Sequence, residues 1–178
     1  MKIATLGKLT FTYEIYEKYL EGDSVSCDSI QDIVNSVISG YADLGVIPLK
    51  NRIVGKINSY NLKDTRIIRK IKLPIKMSIG GLGKEKDIKY VISKKEALEQ
   101  CKKYIYARKF SVIESESTVK GIEHILKYHI KYRAVICSEN ALKANGLKIY
   151  RKDISDIKPN YTIFGIISSP IIFHAKAD

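Results

Sequence analysis

Between Ser29 and Asn51 a helical pattern, a glycine stop and a short apolar strand follow one another, and this succession restricts the chain to an α/β fold. Ile30, Ile33, Val34, Val37 and Ile38 recur at the spacing of one helix face. Gly40 ends that helix, and Ala42 to Pro48 reads as a buried strand. Lys50, Asn51 and Arg52 then turn a basic, amide-bearing edge outward before Gly55. Ligands in open α/β sheets bind beyond the carboxyl ends of strands, so these three residues are candidate ligand contacts. Asn51 reads as an exposed turn residue, while Lys50 and Arg52 fit a ligand contact and a solvated edge equally well.

The same succession returns later in the chain. Val119, Ile122, Ile125 and Leu126 mark an inward helix face, Arg133 to Cys137 a strand, and Asn140 a polar turn after it. Two similar α/β lobes with a cleft between them explain such an echo. Leu73, Pro74 and Ile75 suit a crossing between lobes, because proline disfavours helix there. The run from Asn160 to Ile167 is strand-like and returns to the first lobe, with Thr162 near the hinge. The first lobe is then discontinuous, 1–74 with 163–178, and the second is 75–162.

Several smaller elements complete this reading. Met1 to Gly7 forms a first strand, and Thr10 and Thr12 open a helix that Gly22 closes. Hydroxyls at a helix start either hold an anion or cap the helix. The same choice applies to Ser117 and Thr118. Gly80, Gly81 and Gly83 mark a loop, and Ser93 with Glu96 forms a capping box for one helix carrying Ala97, Leu98, Cys101, Tyr104 and Ile105.

Composition narrows the functional classes. The chain has 178 residues, 45% of them hydrophobic, which suffices for real cores. No apolar run approaches the ~18 residues that span a bilayer, so a cytoplasmic protein is expected. Cys27, Cys101 and Cys137 are odd in number and widely spaced, which fits reduced thiols rather than a disulfide framework or a zinc site. His124, His129 and His174 have no ligand companions, and no metal or cofactor is expected. The net charge of +12 is spread along the chain. It reads as a solvated surface that attracts small anions rather than as a nucleic-acid interface.

The ordered landmarks resemble the catalytic domain of prephenate dehydratases across nearly all of the chain. These are Ala4 to Gly7 with Thr10 to Thr12, Ala42 to Pro48 with Asn51 and Gly55, Leu73 to Ile75, Ser93 to Cys101, Ser117 with Thr118, and Asn160 to Phe164. The resemblance implies two lobes of the periplasmic-binding-protein type II kind, prephenate in the cleft, and homodimers. It further implies that Thr162 supplies the hydroxyl that assists departure of the ring hydroxyl; Thr10, Thr12, Lys50, Asn51, Arg52, Ser117, Thr118 and Phe164 are the candidate substrate contacts.

The departures bear on the same site. Where the family motif reads threonine, arginine, phenylalanine, this chain has Thr162, Ile163 and Phe164. Lys50 stands where the family usually has glutamate, Arg52 where a small hydroxyl residue is common, and Lys94 with Lys95 replaces a histidine and proline. The opening loop is shorter than is usual and lacks its proline. No regulatory ACT module follows within these residues, so feedback by phenylalanine through one is not expected. Phe164 and Gly165 also resemble a pair found in prephenate decarboxylases, which remove carbon dioxide without expelling the hydroxyl. Three functions therefore stay open: dehydration of prephenate, decarboxylation without aromatisation, and binding of a small dianion without chemistry.

Overall fold

The computed structural model describes residues 1–57 and 60–170. In chain order the elements are β1 (Lys2–Thr5), α1 (Phe11–Tyr19), β2 (Asp23–Ser26), α2 (Ile30–Ile38), β3 (Leu44–Asn51), β4 (Gly55–Lys56) and β5 (Arg66–Pro74). They continue with β6 (Ser78–Gly81), β7 (Tyr90–Ser93), α3 (Lys95–Glu99), α4 (Lys102–Ala107), β8 (Ser111–Glu114), α5 (Thr118–Lys127), β9 (Arg133–Cys137), α6 (Glu139–Ala144), β10 (Lys148–Arg151) and β11 (Tyr161–Ser168). The chain separates into two units, one formed by Met1–Pro74 with the segment beginning at Tyr161, the other by Ile75–Asn160. Each has a sheet of its own. No helix among the described residues is long and apolar enough to cross a membrane.

The first unit is ordered β2-β1-β3-β11-β5, with β4 paired to β3. β1 lies parallel to β2 and β3, whereas β11 runs antiparallel between β3 and β5. The chain steps out from β1 to β2 and then back past β1 to β3. Right-handed crossovers in opposite directions put α1 and α2 on opposite faces of the sheet. The Ser29 hydroxyl caps α2 by accepting from Asp32 N at 3.1 Å, and Gly40 ends it at φ +75°. Ile33, Val34 and Val37 are fully buried against Ala4, Ile47 and Ile167.

Proline inside the central strand β3 needs a local solution, because it has no N–H for the ladder. The strand bulges there: Ile163 pairs with Lys50 and Phe164 with Pro48, so Leu49 is an extra residue. The Tyr60 hydroxyl donates to the Pro48 carbonyl in the same segment. Burial pushes that phenol up to about 12.

In the second unit the order is β10-β6-β9-β7-β8, with β7 parallel to both β8 and β9 and β6 antiparallel to β9 and β10. Its core joins Ile122 and Ile125 of α5 to Val135, Cys137 and Leu142. Three expectations change in this unit. Gly80 and Gly81 belong to the buried strand β6 rather than to a loop. A Cβ on Gly80 would lie 2.4 Å from the Lys148 carbonyl and 2.9 Å from Leu142, so the glycine admits a close approach. The single helix after β7 is broken into α3 and α4 at Cys101, whose φ of −127° is not helical. Ser93 forms no capping box, since its hydroxyl donates to the Ile136 carbonyl at 2.6 Å and Lys94 is the N-cap residue.

Two further expectations are corrected. Asn140 lies in the first turn of α6 rather than in a turn like that of Asn51. Tyr161 and Thr162, expected in the second lobe, pair with Pro74 and Leu73 in the first unit's sheet. His124 and His129 are exposed, and His174 lies outside the described residues.

Candidate functional site

β11 is a regular eight-residue strand, so its side chains alternate between faces. Ile167 packs on α2. Thr162, five positions earlier, therefore lies on the opposite face, and Ile163 on the α2 side. Thr162 pairs in register with Asn51, and both are buried, at 6% and 1% exposure.

Asn51 is the centre of a local hydrogen-bond set. Its Oδ1 accepts from Ile53 N at 2.8 Å and Val54 N at 3.2 Å, which shapes the turn leading to β4. Its Nδ2 donates to the Tyr161 carbonyl at 3.0 Å and to Thr162 Oγ1 at 2.9 Å. The reading of Asn51 as an exposed turn residue is thus overturned. Two of these bonds use the amide hydrogens and two use the amide oxygen.

The cationic candidates lie on the other face. Lys50, exposed, pairs in register with Ile163 on one side and with Lys56 on the other. Lys72 of β5 pairs with Ile163 from the opposite flank. The two departures from the family pattern at positions 50 and 163 are therefore direct cross-strand neighbours. The Arg52 guanidinium stands 5.9 Å from the Tyr161 ring centroid, and the Lys72 ammonium 4.0 Å from the same centroid. Tyr161, Lys56 and Lys72 were missed by the sequence reading, because only the strand register assembles them.

Thr10 and Thr12 form a closed set at the start of α1. Thr10 Oγ1 donates to the Gly7 carbonyl at 2.7 Å and accepts from Tyr13 N at 3.2 Å. Its proton being committed, Thr12 donates in the 3.0 Å contact between the two hydroxyls, and Thr12 Oγ1 also accepts from Leu6 N. The set caps α1 and braces the opening loop. Phe164, a candidate substrate contact, is 3% exposed and belongs to the core of the first unit.

Ser117 and Thr118 belong to the second unit. Ser117 Oγ caps α5 by accepting from Lys120 N at 3.1 Å, which leaves its own proton unassigned. Thr118 Oγ1 is 3.4 Å from Ser93 Oγ, a weak contact at best. The second unit also carries a surface groove of about 500 Å³ lined by Leu98, Ile105, Phe110 and Val112 among others. None of the candidate residues lines it. Among the described residues there is no group of three or more His, Cys, Asp and Glu side chains suited to a metal.

Comparison with known proteins follows the same landmarks. The family model for prephenate dehydratase matches residues 3–171. The prephenate dehydratase of Methanocaldococcus jannaschii is 32% identical over 181 residues, a match covering 96% of this chain and 65% of that protein. The chain thus spans just under two thirds of that relative's length. The crystal structure of the prephenate dehydratase from Staphylococcus aureus superposes with a TM-score of 0.72 at 25% identity, over 94% of this chain and 67% of that one. An extracytoplasmic solute receptor of Bordetella pertussis shares the fold alone, with a TM-score of 0.54 at 11% identity over 98% of this chain and 71% of its own. The architecture is accordingly α/β and like that of type II periplasmic binding proteins. With the match running from the first strand to the last, the chain belongs to the prephenate dehydratase family.

Proposed function

We propose that the protein converts prephenate, or a closely similar small dianion, by joint loss of carbon dioxide and the ring hydroxyl, giving phenylpyruvate for phenylalanine biosynthesis. One observation carries this reading. Thr162 occupies the family's threonine position, and its Oγ1 is held on a buried strand by Asn51.

In the reaction the bond from the ring to its carboxylate breaks, and that electron pair moves through the diene to expel the hydroxyl across the ring. Aromatisation drives the step. The oxygen leaves as water after taking a proton, and a hydroxyl donor at that oxygen lowers the barrier. General acid assistance of this kind contributes ~100-fold to ~10,000-fold. Thr162 is assigned that donor role. Ser117, with its proton unassigned at the start of a ten-residue helix, is a candidate for carboxylate contact, with Thr118 beside it. Lys50, Arg52 and Lys72 supply positive field without being placed on the reacting atoms.

Two departures from the family pattern have local structural settings. Positions 50 and 163 are cross-strand partners on β3 and β11, so the two departures change one local pair, with Lys50 exposed beside Lys56. Gly165 has a local cause as well. A Cβ there would lie 3.0 Å from Leu49 Cδ1, the side chain displaced by the bulge. Gly165 thus has a local packing reason that does not depend on the reaction.

Incubation of the purified protein with prephenate, followed by product identification, tests the proposal. Phenylpyruvate supports it. A non-aromatic keto acid would replace it with the decarboxylase reading, and thermal stabilisation without turnover would leave only anion binding.

A further inference from the structure

We infer that Asn51 is a positioning residue: its amide nitrogen occupies Thr162 Oγ1 as an acceptor and so leaves that hydroxyl to act as a hydrogen-bond donor to the leaving oxygen. The inference rests on the reaction proposed above. It changes the role of Asn51 from a contact with substrate to a group acting through Thr162.

Counting hydrogens establishes the orientation. Ile53 N and Val54 N both donate to Oδ1, so the Asn51 amide cannot turn over without setting its own N–H groups against two other donors. That fixes Nδ2 toward β11. Nδ2 then donates to Thr162 Oγ1 at 2.9 Å, which uses the oxygen as an acceptor and leaves the hydroxyl hydrogen pointing elsewhere. Among the described residues Asn51 is the one hydrogen-bond partner of that side-chain oxygen. A hydroxyl that accepts one bond becomes a stronger donor in the next, and more so in a site of low dielectric.

The turn alone does not call for asparagine. Its two N–H groups need only an acceptor, which aspartate or serine provides as well. What asparagine adds is the donating nitrogen, and that nitrogen goes to Tyr161 O and Thr162 Oγ1. Turn geometry is therefore separable from hydroxyl orientation by substitution.

Two variants make that separation, Asn51→Asp and Asn51→Ser. Both keep an acceptor for the turn and lack the amide donor. At neutral pH an aspartate would accept the Thr162 proton and turn it inward. We expect kcat for prephenate to fall about 100-fold in Asn51→Asp, the scale of a lost proton donor. Its activity should recover as the pH is lowered and the carboxyl becomes a donor again. Asn51→Ser should lose kcat with KM changed far less, and should show no recovery at low pH. Cooperative melting of each variant reports folding separately.

Wild-type kcat in either folded variant, or equal pH profiles for wild type and Asn51→Asp, would overturn the inference while leaving the proposed reaction in place. Absence of prephenate turnover by the wild type would overturn both. If neither variant folds, nuclear Overhauser contacts in the wild-type protein decide the matter. One Asn51 side-chain amide proton must lie next to the Thr162 methyl group, and no such contact would refute the assignment.

Discussion

The two units have the same strand plan and opposite treatment of one hydroxyl. Each has three parallel strands, β2-β1-β3 in one and β8-β7-β9 in the other, followed by two strands in antiparallel pairing, β11-β5 and β6-β10. At the end of β3, Thr162 of β11 faces Asn51. At the end of β9, Ser78 of β6 faces Cys137. The oxygen of Thr162 is held by an amide donor, whereas Ser78 Oγ is buried with no hydrogen-bond partner among the described residues. The scaffold supplies the place twice, and the residue opposite decides whether the hydroxyl is directed. The chain also leaves the two strands differently. Asn51 folds its own turn, while Cys137 leads into Ser138, which caps α6 by accepting from Ala141 N.

The strongest test of this contrast is catalytic. Thr162→Ala is expected to lower prephenate turnover ~100-fold to ~10,000-fold, and Ser78→Ala to leave it unchanged. Equal loss in both would end the distinction. Next in size are the helix stripes that the units share. Ile33→Ala and Ile125→Ala each empty a fully buried site. Each should cost about 2–5 kcal/mol in denaturant unfolding, and a large difference between them would show that the two cores are not equivalent.

Stability should also separate the paired positions. Asn51→Ala leaves the Ile53 and Val54 amides and the Tyr161 carbonyl without this partner, at a cost of about 1–3 kcal/mol. Ser78→Ala removes a buried hydroxyl that has no protein partner among the described residues, so its midpoint should stay level or rise. A pH scan addresses the thiol opposite Ser78. Burial pushes Cys137, and likewise Cys101, up to about 12 from 9.0. The unfolded chain releases those protons first, so stability is full below pH 9 and declines as pH rises toward 12, by about 1.4 kcal/mol per pH unit for each thiol. Replacing Cys137 by Ala should reduce that slope. The smallest effect belongs to the caps. Ser29→Ala and Ser117→Ala should each cost about 1 kcal/mol in melting experiments, alike in the two units.

The structure also shows where a local reading fails. Gly80 and Gly81 look like a loop in isolation, yet Lys148 and Leu142 crowd Gly80 within a strand. Ser93 and Glu96 have capping-box spacing, but the Ser93 proton is taken by the carbonyl of Ile136, far along the chain.

Periodicity and stop signals by themselves determined the α/β class, the succession of α2 and β3, the Ser29 and Ser117 helix starts, and the strand at Arg133–Cys137. These depend on neighbours within a few residues, where spacing and chirality act directly. The family likeness was legible for the same reason, in ordered short motifs. Only the tertiary structure decided that Asn51 is buried, that it reaches Thr162 from 111 positions away, and that Ile163 lies between Lys50 and Lys72. Register between strands distant in sequence sets those contacts, and a shift of one residue would send every side chain to the other face.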